Sequence, residues 1–253
     1  MRVERLDDYQ SWAIHADGTT IVIDPWLVGE CTLPGGPRIF RRTHRESPAR
    51  TPAQMGSVDA IFLTAHFGDH FHEPTLAAFS LDTPVYSTKW GGKRAEKMGF
   101  RNVHVMGSGE HWTCGKLNVT SIAPAFPYAH NSLGFLFESK NARRVLLETH
   151  GVNRESIPGA CKHIDVLITA IEGVRLLGIP FTLGLEKLLE VVTDLSPTYL
   201  LPTGTRPEMS EGIISKLLSV KGSVEEFEQM LRGAGATTHM DLLPSGGILE
   251  LNS

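Results

Sequence analysis

The stretch VDAIFLTAHFGDHFHEPTL, Val58 to Leu76, begins as an apolar run and ends in three histidines and an aspartate packed into seven residues. The run VDAIFL reads as a strand covered on both faces, because its apolar residues are continuous and do not alternate with polar ones. HFGDHFH, just past its end, is polar where the strand gives out. EPTLAAFS reads as a short helix, with Pro74 in the first turn, where a missing N–H costs little. Strand, polar loop and helix thus follow one another within twenty residues.

Working outward, the same alternation recurs. Strands are expected at SWAIHA, TTIVIDPW, TPVYST, NVHVM, KLNVTSIA, SLGFLFES and RRVLLET, each rich in Val, Ile, Leu or Phe. Helices are expected at KWGGKRAEKMG, closing at Gly99, and at TLGLEKLLEVVTDL, whose leucines recur every three or four residues. SVEEFEQMLRGAG opens with Ser223 and Glu226 in a capping-box spacing and ends at Gly233. PSGGILEL reads as a turn into a final strand. The expected fold class is α/β, with helices interleaved between and after strands. Residues 29–55 differ: LPGGPRIFRRTHRESPARTPAQM is dense in Pro, Gly and Arg and reads as a long surface loop bordering the active face.

The composition narrows the function classes. At 253 residues, with 41% hydrophobic and 21% charged residues, the chain is expected to form one domain over 1–253. A net charge of −4 gives no overall attraction to nucleic acid or an anionic membrane, so neither is an expected partner. No apolar run is long enough to span a bilayer, and MRVERLDDYQ lacks a secretory apolar segment, so a cytoplasmic location is expected. Cys31, Cys114 and Cys161 are odd in number and far apart, which suits free thiols. No nucleophile-elbow sequence is present. Arg38, Arg41, Arg42 and Arg45 crowd one loop and could steer an anionic substrate, although a solvated loop gives the same pattern.

SWAIHADGTTIVIDPWL, then VDAIFLTAHFGDHFHEPTL, RRVLLETHG, IDVLITAIEG and YLLPTGT follow in an order that resembles the metallo-β-lactamase superfamily, in particular its lactonase-like branch. The resemblance implies a four-layer αββα sandwich with a metal site at one edge, and a metal-dependent hydrolase acting on an ester, lactone or phosphoester. It also implies an altered site. Aligning Asp69 and His70 with the last two residues of the superfamily's H-x-H-x-D-H motif places Ala65 and Phe67 at its two leading histidines. The bridging aspartate matches Glu148, the last histidine matches Gly204, and His130 is a loose candidate for the histidine between. His66 is one residue out of register.

The remaining donors, Asp69, His70, Glu148 and His150, are expected to hold one zinc or another divalent metal, or none. Asp69 and His72 are the expected catalytic residues, with His72 handling protons for a small-molecule substrate. The same residues also have a structural reading: Asp69 as a helix cap, His70 and His72 bonded to nearby backbone, and Glu148 with His150 as a buried ion pair. On that reading the chain is a non-catalytic binding or scaffolding protein that keeps the fold.

Overall fold

A computed structural model describes residues 1–251 apart from 34, 129, 160, 162 and 205–208. Two seven-stranded sheets form its middle layers. The first runs in spatial order β20 (Ile248–Glu250), β1 (Arg2–Arg5), β2 (Trp12–Ala16), β3 (Thr19–Ile23), β6 (Ala60–Leu63), β7 (Val85–Ser87) and β8 (Val103–Val105). The second runs β19 (His239–Met240), β16 (Tyr199–Pro202), β13 (Val166–Thr169), β12 (Arg144–Glu148), β11 (Gly134–Glu138), β10 (Leu117–Ile122) and β9 (His111–Cys114).

Side-chain alternation along each strand builds three apolar layers from continuous apolar sequence. In β6, Ala60 and Phe62 point between the sheets, where they meet Trp12, Phe135, Phe137 and Leu147. Ile61 and Leu63 point outward, against Leu76 of α2 (Glu73–Leu76) and Ala95 of α3 (Lys89–Lys97). On the far side, Leu146, Leu167 and Leu200 pack against Leu188 and Val192 of α4 (Leu185–Leu195) and against Phe227 and Leu231 of α6 (Val224–Gly233). The result is the expected four-layer αββα sandwich. α6 begins where the capping spacing places it, with the Ser223 side chain accepting from the Glu226 N–H. No helix among the described residues is long and apolar enough to cross a membrane.

Two small sheets sit at one end. One is β14 (Gly173–Leu176), β15 (Ile179–Pro180) and β18 (Leu218–Lys221); the other is β4 (Cys31–Thr32), β5 (Arg41–Arg42) and β17 (Ser210–Glu211). The loop over 29–55 therefore carries two short strands, and also the single turn α1 (Pro52–Met55), capped by Thr51. α5 (Ile213–Lys216) joins β17 to β18.

The first sheet holds a buried acid. The Glu4 carboxylate lies 3.2 Å from His15 Nε2 and 3.0 Å from Arg50 Nε. The hydrogen bond from His15, together with Arg50 and against the cost of burial, holds it below the ordinary 4.5. A depressed carboxylate stabilises the fold fully above its unfolded value and loses that contribution as pH falls through its folded value. Glu4→Gln is expected to cost about 1.5–3 kcal/mol at pH 7. Urea unfolding measured from pH 7 to pH 3 should show the difference from the parent closing below pH 4.5; a pH-independent gap would refute the assignment.

Candidate active site

The site lies where parallel strands end. β3 pairs in parallel with β6, and β12, β13 and β16 run parallel to one another. The loops leaving their carboxyl ends therefore meet at one edge of the sandwich, the usual place for a cleft in sheets of this kind. Asp24 follows β3, residues 64–72 follow β6, Thr149 and His150 follow β12, and Gly204 follows β16.

Asp24 is the organising residue. It has φ 44, a left-handed conformation that aspartate tolerates better than most residues. Its fully buried carboxylate accepts from the Thr64 N–H at 2.7 Å, from the Thr64 hydroxyl, and from His70 Nδ1 at 2.7 Å. With Nδ1 donating to a carboxylate, the other imidazole nitrogen is left for the cleft. His70 Nε2 stands 3.9 Å from Asp69 Oδ1. Burial alone would push His70 down, but the Asp24 and Asp69 carboxylates outweigh it and hold its pKa above the ordinary value. Asp69 is held low: burial opposes ionisation, and His70, Arg42 and His150 outweigh it. Tyr9 donates to Asp69 Oδ2 at 3.2 Å, and Gln10 Nε2 donates to the Asp69 carbonyl at 2.8 Å.

His150 completes the polar wall. Its ring lies 4.9 Å from that of His70, tilted by 30°, and is stacked on Tyr128 at 3.9 Å. Asp69, His70 and His150 share a cavity of about 430 Å³ whose other walls are mostly apolar, Phe40, Phe67, Phe181 and Leu218 among them. Cys31 also lines it, but burial pushes its thiol up to about 12, which removes it as a thiolate nucleophile.

Of the other candidate residues, Glu148 lies directly behind this wall, its Oε1 3.7 Å from His150 Nδ1, and His72 stands outside it. Glu148 is fully buried, and its carboxylate turns back onto the chain, accepting from the His150 N–H at 3.1 Å and from the Gly151 N–H. It fits only because residue 134 is glycine, since a Cβ there would meet Glu148 Cγ at 2.8 Å. His72 stands at the N-terminus of α2 outside the cavity. Its Nε2 donates to the Glu30 carbonyl at 3.2 Å, so its Nδ1 accepts from the Thr75 hydroxyl at 2.8 Å. Burial lowers its pKa. His66 is off the cavity wall, and His130 is exposed.

Among the described residues, no three His, Cys, Asp or Glu side chains stand together as a group able to hold a metal ion. The residues explain why. Ala65 is fully buried, Phe67 and Gly204 contribute no donor to the cavity wall, and the Glu148 oxygens are occupied by amides. Among the described residues, the donors do not fit a metal centre.

Sequence reasoning assigned no role to Asp24, although IDPW contains it; an aspartate before a proline at the end of an apolar strand was the available signal. Tyr9 carried no local signal, and Tyr128 stands two residues before His130 in a segment weighed only for its histidine.

Comparison with solved structures returns the same architecture. The chain is 15% identical, with a TM-score of 0.78, to a possible metal-dependent hydrolase from Veillonella parvula DSM 2008, with 99% of each chain covered. It is 14% identical, with a TM-score of 0.73, to isothiocyanate hydrolase from Delia radicum gut bacteria, covering 100% of this chain and 99% of that one. CmlA, a diiron β-hydroxylase from Streptomyces venezuelae, is 14% identical with a TM-score of 0.70, over 99% of this chain and 54% of its own. No curated protein matches in sequence. A sequence profile described as beta-lactamase superfamily domain matches residues 7–204. With that match over most of its length and this sandwich, the chain belongs to the beta-lactamase superfamily and has the metallo-β-lactamase fold.

Proposed function

We propose that the protein hydrolyses a small, largely apolar ester, lactone or phosphoester in the cavity bounded by Asp69, His70 and His150. One observation carries this reading: His70 has one nitrogen fixed by a buried carboxylate and the other left beside Asp69 on the wall of an apolar cavity. An imidazole oriented in this way is prepared for proton transfer. Because its charged form is favoured, His70 suits stabilising the developing oxyanion and returning a proton to the leaving oxygen. His150, on the cavity wall with its ring 4.9 Å from that of His70, is assigned to take a proton from the attacking water. The new bond joins the water oxygen to the carbonyl carbon or phosphorus, and the leaving oxygen departs with the proton from His70.

Of the states open from sequence, one zinc or other divalent metal, or none, the arrangement of the described donors favours none. The purified protein is expected to carry fewer than two metals per chain by elemental analysis and to lack β-lactamase activity. A panel of chromogenic esters, lactones and phosphoesters, assayed with and without chelator, tests the chemistry. Turnover should survive chelation, and His70→Ala and His150→Ala should each lower kcat/KM by about 10²–10⁴. Two tightly held zincs, or turnover that requires added metal, would overturn this reading.

A second reading, a binding protein without chemistry, draws support from Ala65, Phe67, Gly204 and the amide-bound Glu148. On that reading the same panel would bind without turnover.

A further inference from the structure

Two features of the cavity are unexplained by an acid–base site alone. The first is Arg42, one of five arginines in the 29–55 loop. Arg38 and Arg45 are exposed, and Arg41 pairs with Glu30 and Glu211. Arg42 instead lies on the cavity wall and is only 6% exposed. Its guanidinium sits 4.1 Å over the Tyr9 ring and 5.6 Å from that of Phe40, and its Nε donates to Ser210 Oγ at 2.9 Å. Its Nη1 has almost no exposed surface and makes no hydrogen bond among the described residues, so a ligand oxygen reaches it once the guanidinium shifts toward the cavity. A buried guanidinium N–H without an acceptor is costly, and a ligand oxygen would relieve that cost.

The second is the wall beside it. Register in the β14–β15–β18 sheet sets Leu176 against both Leu218 and Ile179, and Val174 against Val220, so these residues share one face. Arg175, Ser219 and Lys221 take the other face. Val174, Leu176, Ile179 and Leu218 of this face line the cavity, yet Ile179 is 55% exposed. An apolar sheet face with this much uncovered surface, over an apolar cavity, is incompletely packed as it stands.

We propose that the cavity takes an amphipathic monoanion: a carboxylate placed against Arg42, carried on an aliphatic or aryl-alkyl body that lies under the β14–β15–β18 sheet. Asp69 lies close enough to Arg42 for the two charges to interact, so the second negative charge of a head group such as a phosphate monoester would be opposed there. This ligand class rests on reading the cavity as a substrate site, and it names the substrate's shape: an apolar chain, an anionic end, and a scissile bond beside His70 and His150.

Binding is measured directly, by titrating the full chain with octanoate, decanoate, 1-decanol and decylamine and following heat or tryptophan fluorescence. Decanoate is expected to bind about tenfold more tightly than octanoate, from two further buried methylenes. It is also expected to bind at least about tenfold more tightly than decanol or decylamine. Arg42→Gln should erase the preference for the carboxylate while keeping the chain-length trend, and Arg42→Lys should keep part of the preference. Leu218→Ser should flatten the chain-length trend alone. Equal binding of decanoate and decanol to the unaltered protein, or no dependence on chain length, would overturn the proposal without need of any variant. Turnover of short neutral esters with no carboxylate binding would also overturn it and leave the hydrolase reading standing. Carboxylate binding with no turnover of any ester would support it and count against hydrolysis.

Discussion

Asp24→Ala is expected to lower the unfolding free energy by about 3–5 kcal/mol and to bring the His70 pKa down together with activity. The carboxylate serves three donors: the Thr64 N–H, the Thr64 hydroxyl and His70 Nδ1. All three groups are buried, so its removal leaves each unpaired with no water to replace it. Alanine at φ 44 adds backbone strain of order 1–3 kcal/mol, which the relaxed loop would partly relieve. Asp24 is also among the groups that raise His70, so its loss lets burial prevail and returns the imidazole toward its neutral form. Urea unfolding and an NMR titration of His70 measure the two effects separately. Asp24→Asn keeps the shape and tolerates the left-handed backbone, so it should cost less stability yet depress the His70 pKa in the same direction. An Asp24→Ala protein of unchanged stability would remove Asp24 from its central place.

Phe62→Ala should be comparably damaging for a different reason. Phe62 lies between the sheets, fully buried, stacked on Tyr86 at 4.6 Å and edge-on to Phe135 at 5.1 Å and Phe137 at 5.3 Å. Truncation removes the contact with three aromatic rings drawn from both sheets and leaves a cavity that β-strands cannot collapse to fill. The expected cost is about 3–5 kcal/mol. Because β6 leads directly into Thr64, Asp69 and His70, the loss should also lower the affinity of any cavity ligand. A lowered denaturation midpoint with an unchanged denaturant slope is the expected signature. A midpoint within experimental error of the parent would show that the sheets repack.

The sandwich was legible because its strands are long apolar runs buried on both faces, and because the order of those runs matches the superfamily. The β14–β15–β18 sheet was not. Its strands are two to four residues long, and β18 reaches β14 across more than forty residues of chain, so neither VRLLGIP nor LLSVKG shows a strand pattern by itself. Within the site, Asp69, His70 and His150 line one cavity, Glu148 lies buried behind His150 at 3.7 Å, and His72 stands apart from them. Reading His72 from its spacing two beyond His70 assumes an extended chain. Residues 67–71 instead form a turn, with the N–H groups of His70 and Phe71 both donating to the Phe67 carbonyl, so alternate residues no longer share a face. The chain likewise bends after Glu148, which is the last residue of its strand, and the carboxylate reaches the following amides before it reaches the cleft. Local hydrogen bonds of this kind leave no mark in residue spacing.

That bend also bears on whether a dinuclear centre could be engineered back into this scaffold. Histidines introduced at 65, 67 and 204 would restore the nitrogen count, yet Ala65 is fully buried and residue 204 has φ 68, which a histidine adopts only under strain. The Glu148 oxygens would still be committed to the amides of His150 and Gly151, and freeing them would unlatch the turn that carries His150. Reversion would therefore demand a rebuilt loop, with three point changes falling short, and directed evolution from this chain should find new chemistry around His70 and His150 sooner than it recovers the two-metal kind.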